Sequence, residues 1–294
     1  MMSVETKISQ TTGIIVGKFM PPHQGHRYLV DSALSFVDAL WVFVCSLPGE
    51  PIPGELRYNW MKELFPQATV IHIQEVNPHA NRNQPGAQNI WANAVRQYVN
   101  KKIDYVFASE AYGWEFANAL NARFVPVDPS RDQFPISGTE LRDRPFRNWH
   151  FIPHVVKPFF VKEILVDPRP FSEDIIHRTA MLLNTLYVPS YRTFYYRFAQ
   201  NHPEEGIVAP AQEAQRHALK MQARYFLLRT YDPEVANSPA DCYLACHESS
   251  SPIAFDFTRE ADRHLMQVSH IQCTAETAPH MLRDAILDNW RHLL

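Results

Sequence analysis

Between residues 13 and 127 the chain alternates short unbroken apolar runs with longer stretches whose apolar positions recur every three or four residues. Short runs bounded by turn residues predict buried strands, and the longer periodic stretches predict amphipathic helices. The first strand is predicted over 13–17 (GIIVG), followed by a turn rich in glycine and proline. A helix over 26–37 would then place Leu29, Ala33, Phe36 and Val37 on one face. The alternation continues with a strand over 41–45 and a helix over 56–65 that turns Trp60, Met61 and Leu64 inward. Next come a strand over 68–73, a helix over 89–99, a strand over 105–108, a helix over 114–120 and a strand over 123–127. Strands separated by helices pair in parallel through right-handed crossovers, which predicts a Rossmann-like α/β domain. Ligands of such sheets lie at the carboxyl ends of the strands, so the turn after Val16 is the expected site.

A second unit follows. Residues 145–158 (PFRNWHFIPHVVKP) are too rich in aromatic side chains for a flexible linker and read as a packed connector. Strands are predicted over 160–166 and 253–257, and helices over 173–183, 212–228 and 278–293. The expected domains are 11–160 and 161–294, each of ordinary size, without an internal repeat or a low-complexity segment.

Composition narrows the class. With 46% hydrophobic and 20% charged residues the chain can bury a core in each domain, and bulk disorder is not expected. A formal net charge of -3 offers no electrostatic case for nucleic acid as a partner. No apolar stretch is long enough to span a bilayer, and the opening MMSVETKISQ lacks the pattern of a signal peptide. A cytoplasmic protein with no membrane partner is the expectation, and a homo-oligomer is compatible with it. Four cysteines (Cys45, Cys242, Cys246 and Cys273) are too few for a disulfide framework in 294 residues. Cys242 and Cys246 have no further ligands at a finger-like spacing, so no protein metal site is expected.

Two local motifs carry the chemistry. The first is GKFMPPHQGH over 17–26, between a strand and a helix. Gly17 lets a ligand approach the backbone, Pro21 and Pro22 stiffen the turn, and Gly25 permits close packing where the helix starts. His23 and His26 are three apart and can project into one small volume; with Lys18 and the helix-start amides they suit a polyphosphate. The alternatives are a surface turn that happens to carry these residues, or a zinc pair, for which no acidic third ligand is near. The second motif is ISGTELR over 136–142, where Ser137 and Thr139 can cap a helix, Gly138 allows close approach and Arg142 sits one turn in. Alone it is weak; paired with the first it would hold the other end of a triphosphate.

Together the two segments resemble the HxGH and ISxTxxR motifs of the nucleotidyltransferase superfamily. More narrowly, the stretch from Gly13 to Val166 resembles NadR-type nicotinamide mononucleotide adenylyltransferases. It does so through NIWANAV (89–95), VFASEAYG (106–113), VPVDPSR (125–131) and the long RPFRNWHFIPHVVKPFFVK (144–162). The resemblance implies that ATP, with Mg²⁺ on its phosphates, and nicotinamide mononucleotide react to NAD and pyrophosphate. It implies His23, His26 and Lys18 on the ATP phosphates and Thr139 and Arg142 on the β and γ phosphates. Gly17, Phe19, Gly25, Ser137 and Asp128 would complete the nucleotide site. Trp91, with Asn93, would meet the nicotinamide ring, the alternative for Trp91 being a core tryptophan on a helix face. Sister adenylyltransferases with another phosphorylated acceptor, nicotinic acid mononucleotide included, and a nucleotide sensor without turnover are the competing functions.

NadR-type proteins continue into a ribosylnicotinamide kinase domain with a P-loop. Here the matching place, 164–175, reads ILVDPRPFSEDI, without a glycine or the P-loop lysine, and Pro168 and Pro170 lack amide hydrogens. Residues 183–198 still resemble the segment after the kinase's first helix, and 253–257 (IAFDF) a core strand where Asp256 would stand for an acidic magnesium ligand. A degenerate, P-loop-kinase-like α/β domain without phosphotransfer is the expectation, against an unrelated helical partner domain or a kinase with an unusual phosphate site. The clustered glutamates of a Nudix pyrophosphatase are absent from the sequence. The segment before Gly13 is too short for the helix-turn-helix of some NadR proteins, so repression by that route is not expected.

Overall fold

The computed structural model describes residues 10–74, 87–167, 173–198, 205–230, 240, 242–247, 254–258, 266–267 and 278–293. The chain divides into two compact units, Met1–Val156 and Lys157–Leu294.

In unit 1, β1 (Thr12–Gly17), β2 (Ala39–Cys45), β3 (Thr69–Ile73), β4 (Tyr105–Ala108) and β5 (Arg123–Pro126) form one sheet in the order β3-β2-β1-β4-β5. Every adjacent pair is parallel. The helices between them are α1 (Gln24–Leu34), α2 (Gly54–Leu64), α3 (Ala87–Tyr98) and α4 (Tyr112–Leu120), with α5 (Gly138–Asp143) after β5. Side chains alternate across a strand, so β1 sends Ile14 and Val16 to one face and Ile15 to the other. The first face is covered by Trp91, Val95 and Phe116 of α3 and α4, the second by Leu29, Val30, Ala33 and Met61 of α1 and α2. This is the doubly wound, Rossmann-like arrangement that the alternation of runs predicts.

Strand order reverses at β1, and there the sheet opens. β1 pairs with β2 along its full length, from Thr12↔Ala39 to Gly17↔Val44, but with β4 only at Gly13↔Tyr105 and Ile14↔Val106. The carboxyl ends of β1 and β4 therefore part, leaving the crevice in which such sheets bind ligands. Tyr112 Oη, from the start of α4, donates to the Val16 carbonyl across this gap at 2.8 Å.

One helix expectation in unit 1 needs correction, and another is incomplete. α1 stops at Leu34 with Ser35 as its cap, so Phe36 is not on its inner face; Phe36 is 54% exposed and packs edge-on against Tyr105 and Phe107. On α2 the sequence pattern singles out Trp60 and Met61, which are buried, but it overlooks Arg57, which is fully buried.

Unit 2 contains α6 (Lys157–Phe160), β6 (Lys162–Asp167), α7 (Asp174–Leu182), β7 (Leu186–Val188), α8 (Tyr191–Phe198), α9 (Glu205–Gln222) and β8 (Phe226–Thr230). It continues with β9 (Cys242–His247), β10 (Ala254–Thr258), β11 (Met266–Gln267) and α10 (Ala278–Asn289). Its sheet runs β11-β10-β9-β6-β8-β7, parallel from β9 through β7 and antiparallel at β10 and β11. The helix expected over 212–228 is instead the end of α9 plus a separate strand. Tyr225 takes a left-handed φ of 67° before β8, whose five residues are all buried. A short apolar run buried on both faces has no periodicity to tell strand from helix, so FLL could not be separated from the helical pattern before it. Asp256 falls in β10 opposite Ala245, whereas Pro168 and Pro170 lie outside the described residues. No helix among the described residues is long and apolar enough to cross a membrane.

Candidate functional site

At the crevice between β1 and β4 lies a cavity of about 580 Å³. Its wall is made by residues 15–20, by His23, Gly25 and His26, by the segment after β4, and by 136–139 with Arg142. The two motifs, more than a hundred residues apart in the chain, thus face one space.

The first motif turns sharply out of β1. Phe19 adopts a left-handed φ of 48° and buries its ring, which stands edge-on to His26 at 4.9 Å. A Cβ on Gly17 would sit 3.1 Å from that ring, so glycine lets the phenyl fold back under the strand end. Left-handed backbone in a bulky residue costs on the order of 1–3 kcal/mol, and it persists where packing over-determines it. His23 then caps α1, its Nδ1 accepting from the His26 amide at 3.4 Å. That bond leaves Nδ1 unprotonated and puts the proton of the neutral ring on Nε2. The two imidazoles stack with centroids 3.7 Å apart.

Burial is the main reason that His23 is held neutral, with the Arg131 guanidinium adding to it, and its pKa falls to about 3. His26 is lowered well below the ordinary value by burial, then by His23 and Arg131. The Nδ1 of His26 is buried without a hydrogen-bond partner among the described residues. An orphaned polar atom carries a desolvation penalty that a ligand's hydrogen bond would relieve.

The second motif docks on the first through backbone. Ser137 caps α5 by accepting from the Glu140 amide at 3.1 Å. A Cβ on Gly138 would lie 2.6 Å from the Met20 carbonyl oxygen, so only glycine allows this approach. The Arg142 guanidinium donates to the same Met20 carbonyl and, at 3.2 Å, to Thr139 Oγ1. Met20 precedes a cis proline, Pro21.

Lys18 is engaged from behind. Its ammonium lies 2.9 Å from Glu50, which is also paired with buried Arg57. Arg57 Nη1 donates to the carbonyls of Lys18 at 2.6 Å and Cys45 at 3.2 Å, tying the ends of β1 and β2 together. Burial alone would raise the Glu50 carboxyl, but hydrogen bonds from Lys18, the Leu47 amide and Arg57 outweigh it and hold it below the usual range. Beside them the Cys45 thiol is pushed up to about 12, chiefly by burial, and is no nucleophile.

Asp128 lines the cavity, but its carboxylate accepts from the amides of Asp132, Gln133 and Phe134 at 2.9, 3.3 and 3.3 Å. It shapes the loop over 128–134. That loop brings in Arg131, which lies 3.5 Å from Glu110 across the cavity wall. The sequence reading missed both: they stand inside VPVDPSR and VFASEAYG, but nothing local marks an arginine in a turn or an acid after a strand as facing a pocket.

Trp91 and Asn93 do not line the cavity. Trp91 is buried in the core, its ring 5.9 Å from Tyr112 and 5.6 Å from Phe116, and Asn93 is exposed. Among the described residues no cluster of three or more histidine, cysteine or acidic side chains is arranged to hold a metal ion.

No family model matches the chain. Among curated proteins, the trifunctional NAD biosynthesis/regulator protein NadR of Escherichia coli (strain K12) is 30% identical over 196 residues, 60% of this chain and 47% of that protein. NadR of Salmonella typhimurium is 29% identical over 192 residues, 59% of this chain and 47% of that protein. The chain spans about half the length of these relatives. A crystal structure of NadR in complex with NAD and AMP-PNP matches with a TM-score of 0.63 at 16% identity, over 97% of this chain and 89% of that one. The NadR-type resemblance read from the motifs is therefore borne out by similarity in sequence and in fold.

Proposed function

We propose, from this kinship with NadR, that unit 1 joins nicotinamide mononucleotide to the AMP part of ATP, giving NAD and pyrophosphate. The observation that carries the reading is the convergence of both motifs on one cavity of about 580 Å³, with the Met20 carbonyl joining them. That volume lies within the ordinary range for small-molecule sites.

In this reading a phosphate oxygen of the mononucleotide attacks the α-phosphorus of ATP. The bond from that phosphorus to the bridging oxygen breaks, and pyrophosphate leaves with Mg²⁺, which arrives on the ATP phosphates as part of the substrate. The attacking phosphate is largely dianionic near neutral pH, since its second pKa is about 6, so no general base is needed. Neutral His23 and His26 suit this: they act as hydrogen-bond donors to phosphate oxygens and remove no proton. Rate enhancement comes from alignment and from donors fixed where charge develops. Thr139 and Arg142 would hold the β and γ phosphates, and Gly17, Gly25 and the Ser137 cap let backbone approach them. Lys18 would reach the phosphates only by leaving Glu50. The assignment of Trp91 and Asn93 to the nicotinamide end rests on the resemblance alone.

Unit 2 we read as a degenerate kinase-like domain. Glycine and the phosphate-binding lysine are missing from 164–175. In addition, Glu173 precedes α7 with a carboxylate that accepts from the Ser190 amide at 2.7 Å and from the hydroxyls of Ser190, Thr193 and Thr230. A helix that opens on a negative charge so bound repels a phosphate.

Chromatography with mass detection after incubation with ATP, Mg²⁺ and each mononucleotide tests the reading. NAD and pyrophosphate are expected from nicotinamide mononucleotide; no dinucleotide from that acceptor or from nicotinic acid mononucleotide would sink it. His26→Ala should lower turnover on the order of 100-fold or more while leaving mononucleotide binding nearly intact.

A further inference from the structure

Among the described residues, three lysine or arginine side chains line the cavity: Lys18, Arg131 and Arg142. Two of them hold the protein's own parts. Lys18 is paired with Glu50, whose side chain is nearly buried, and Arg142 bonds the Met20 carbonyl and Thr139. Arg131 differs. Its side chain is 44% exposed, and its ion pair with Glu110, equally exposed, is long at 3.5 Å. Pairs of this kind are weakly held in water. The loop that presents Arg131 is by contrast well fastened, since the Asp128 carboxylate gathers three of its amides and Arg131 itself takes a left-handed φ of 58°. The charge of Arg131 reaches both imidazoles of the first motif. An exposed acid thus shares a cation carried on a fastened loop at the rim of the cavity.

We propose that Arg131 binds the outer phosphates of ATP and that the Glu110 carboxylate competes with them for its guanidinium, so that this ion pair sets nucleotide affinity. The inference rests on the reading that the cavity takes ATP. A triphosphate carries more charge and more acceptor oxygens than one carboxylate, and a guanidinium meets phosphate with two parallel N–H bonds. The exchange needs no backbone movement, because both side chains already line the cavity. Glu110 therefore lowers the affinity for nucleotides with outer phosphates, and a monophosphate, which has none to offer Arg131, is indifferent to it.

Calorimetric titration of the intact chain with Mg²⁺-ATP and, separately, with AMP tests this in the parent, Arg131→Gln, Arg131→Lys, Glu110→Gln and the double variant. Arg131→Gln should weaken ATP on the order of tenfold and leave AMP unchanged, with Arg131→Lys between the two. Glu110→Gln should tighten ATP several-fold, and the gain should vanish when Arg131 is also replaced. Unchanged ATP affinity in Arg131→Gln, or equal weakening of ATP and AMP, would overturn the proposal, as would a Glu110→Gln gain that survives loss of Arg131. Thermal melting of each variant identifies loss of fold, and the conservative lysine variant then decides. If the parent binds ATP but forms no dinucleotide, the proposed reaction fails while Arg131 is still judged on ATP; if the parent binds no ATP, both fall.

Discussion

His23 and His26 are held neutral by burial and by a neighbouring cation, and that has a consequence for stability. The unfolded chain protonates a histidine below about pH 6.5, the folded chain takes up the His23 proton only near pH 3, and so the unfolded state binds more protons between these values. Stability contributed by neutral His23 is therefore complete above pH 6.5 and is lost as pH falls from there towards 3, by up to about 1.4 kcal/mol per pH unit. Glu50, Asp38 and Asp104, whose pKa values are depressed, add contributions of the same sign as the pH falls further. The comparison that isolates His23 is urea unfolding of the parent against His23→Asn, since asparagine can still cap α1. A shallower pH dependence in the variant between pH 6.5 and 4 is expected. Equal slopes would mean that His23 is protonated in the folded protein.

At the level of elements, the site is an encounter between the starts of α1 and α5 at the open end of β1. Gly138 is the point of contact, and the space there is set by backbone, which cannot rotate away as a side chain can. Gly138→Ala would drive a methyl group to 2.6 Å from the Met20 oxygen, and overpacking of this sort costs about 1–3 kcal/mol. Turnover is expected to fall further than stability, because Arg142 loses its alignment on the Met20 carbonyl. Differential scanning calorimetry beside steady-state kinetics checks this; a variant with parental melting temperature and rate would show that the two motifs approach less closely than described. Arg57 does a related task between β1 and β2. It fastens both strand ends by their carbonyls, so the position of Lys18 depends on a residue of α2 that no motif contains.

At the scale of the whole molecule, the described residues form two sheets, one wholly parallel and one mixed. Among the described residues, unit 1 combines a switch-point crevice with donors suited to phosphate. In unit 2 the carboxylate of Glu173 stands where α7 begins and is met by four protein donors. Incubation of the intact chain with ATP, Mg²⁺ and nicotinamide riboside should therefore yield no ADP or mononucleotide above background. Formation of both in equal amounts would show that unit 2 retains phosphotransfer and that the altered segment at 164–175 supports it by another route.

Much of this was legible from residue order alone. Short unbroken apolar runs and apolar positions recurring every three or four residues are local properties of a chain, so the five strands and four helices of the first sheet, and the parallel topology they force, follow from them. The histidine pair and the second motif were legible too, because glycines and prolines around a strand-to-helix turn restrict what the backbone can do. Packing decided the rest. Whether Trp91 faces a ligand or the core, whether Lys18 points to phosphate or to Glu50, and whether residues 226–228 extend a helix or start a strand depend on neighbours distant in the chain. Arg131 and Glu110 belong to the same class: each looks like an ordinary surface charge until the parting of β1 and β4 opens a cavity between them. A sequence pattern records which residues seek burial, but a charge acquires its partner, and a site its reach, only when the sheet has set the distances.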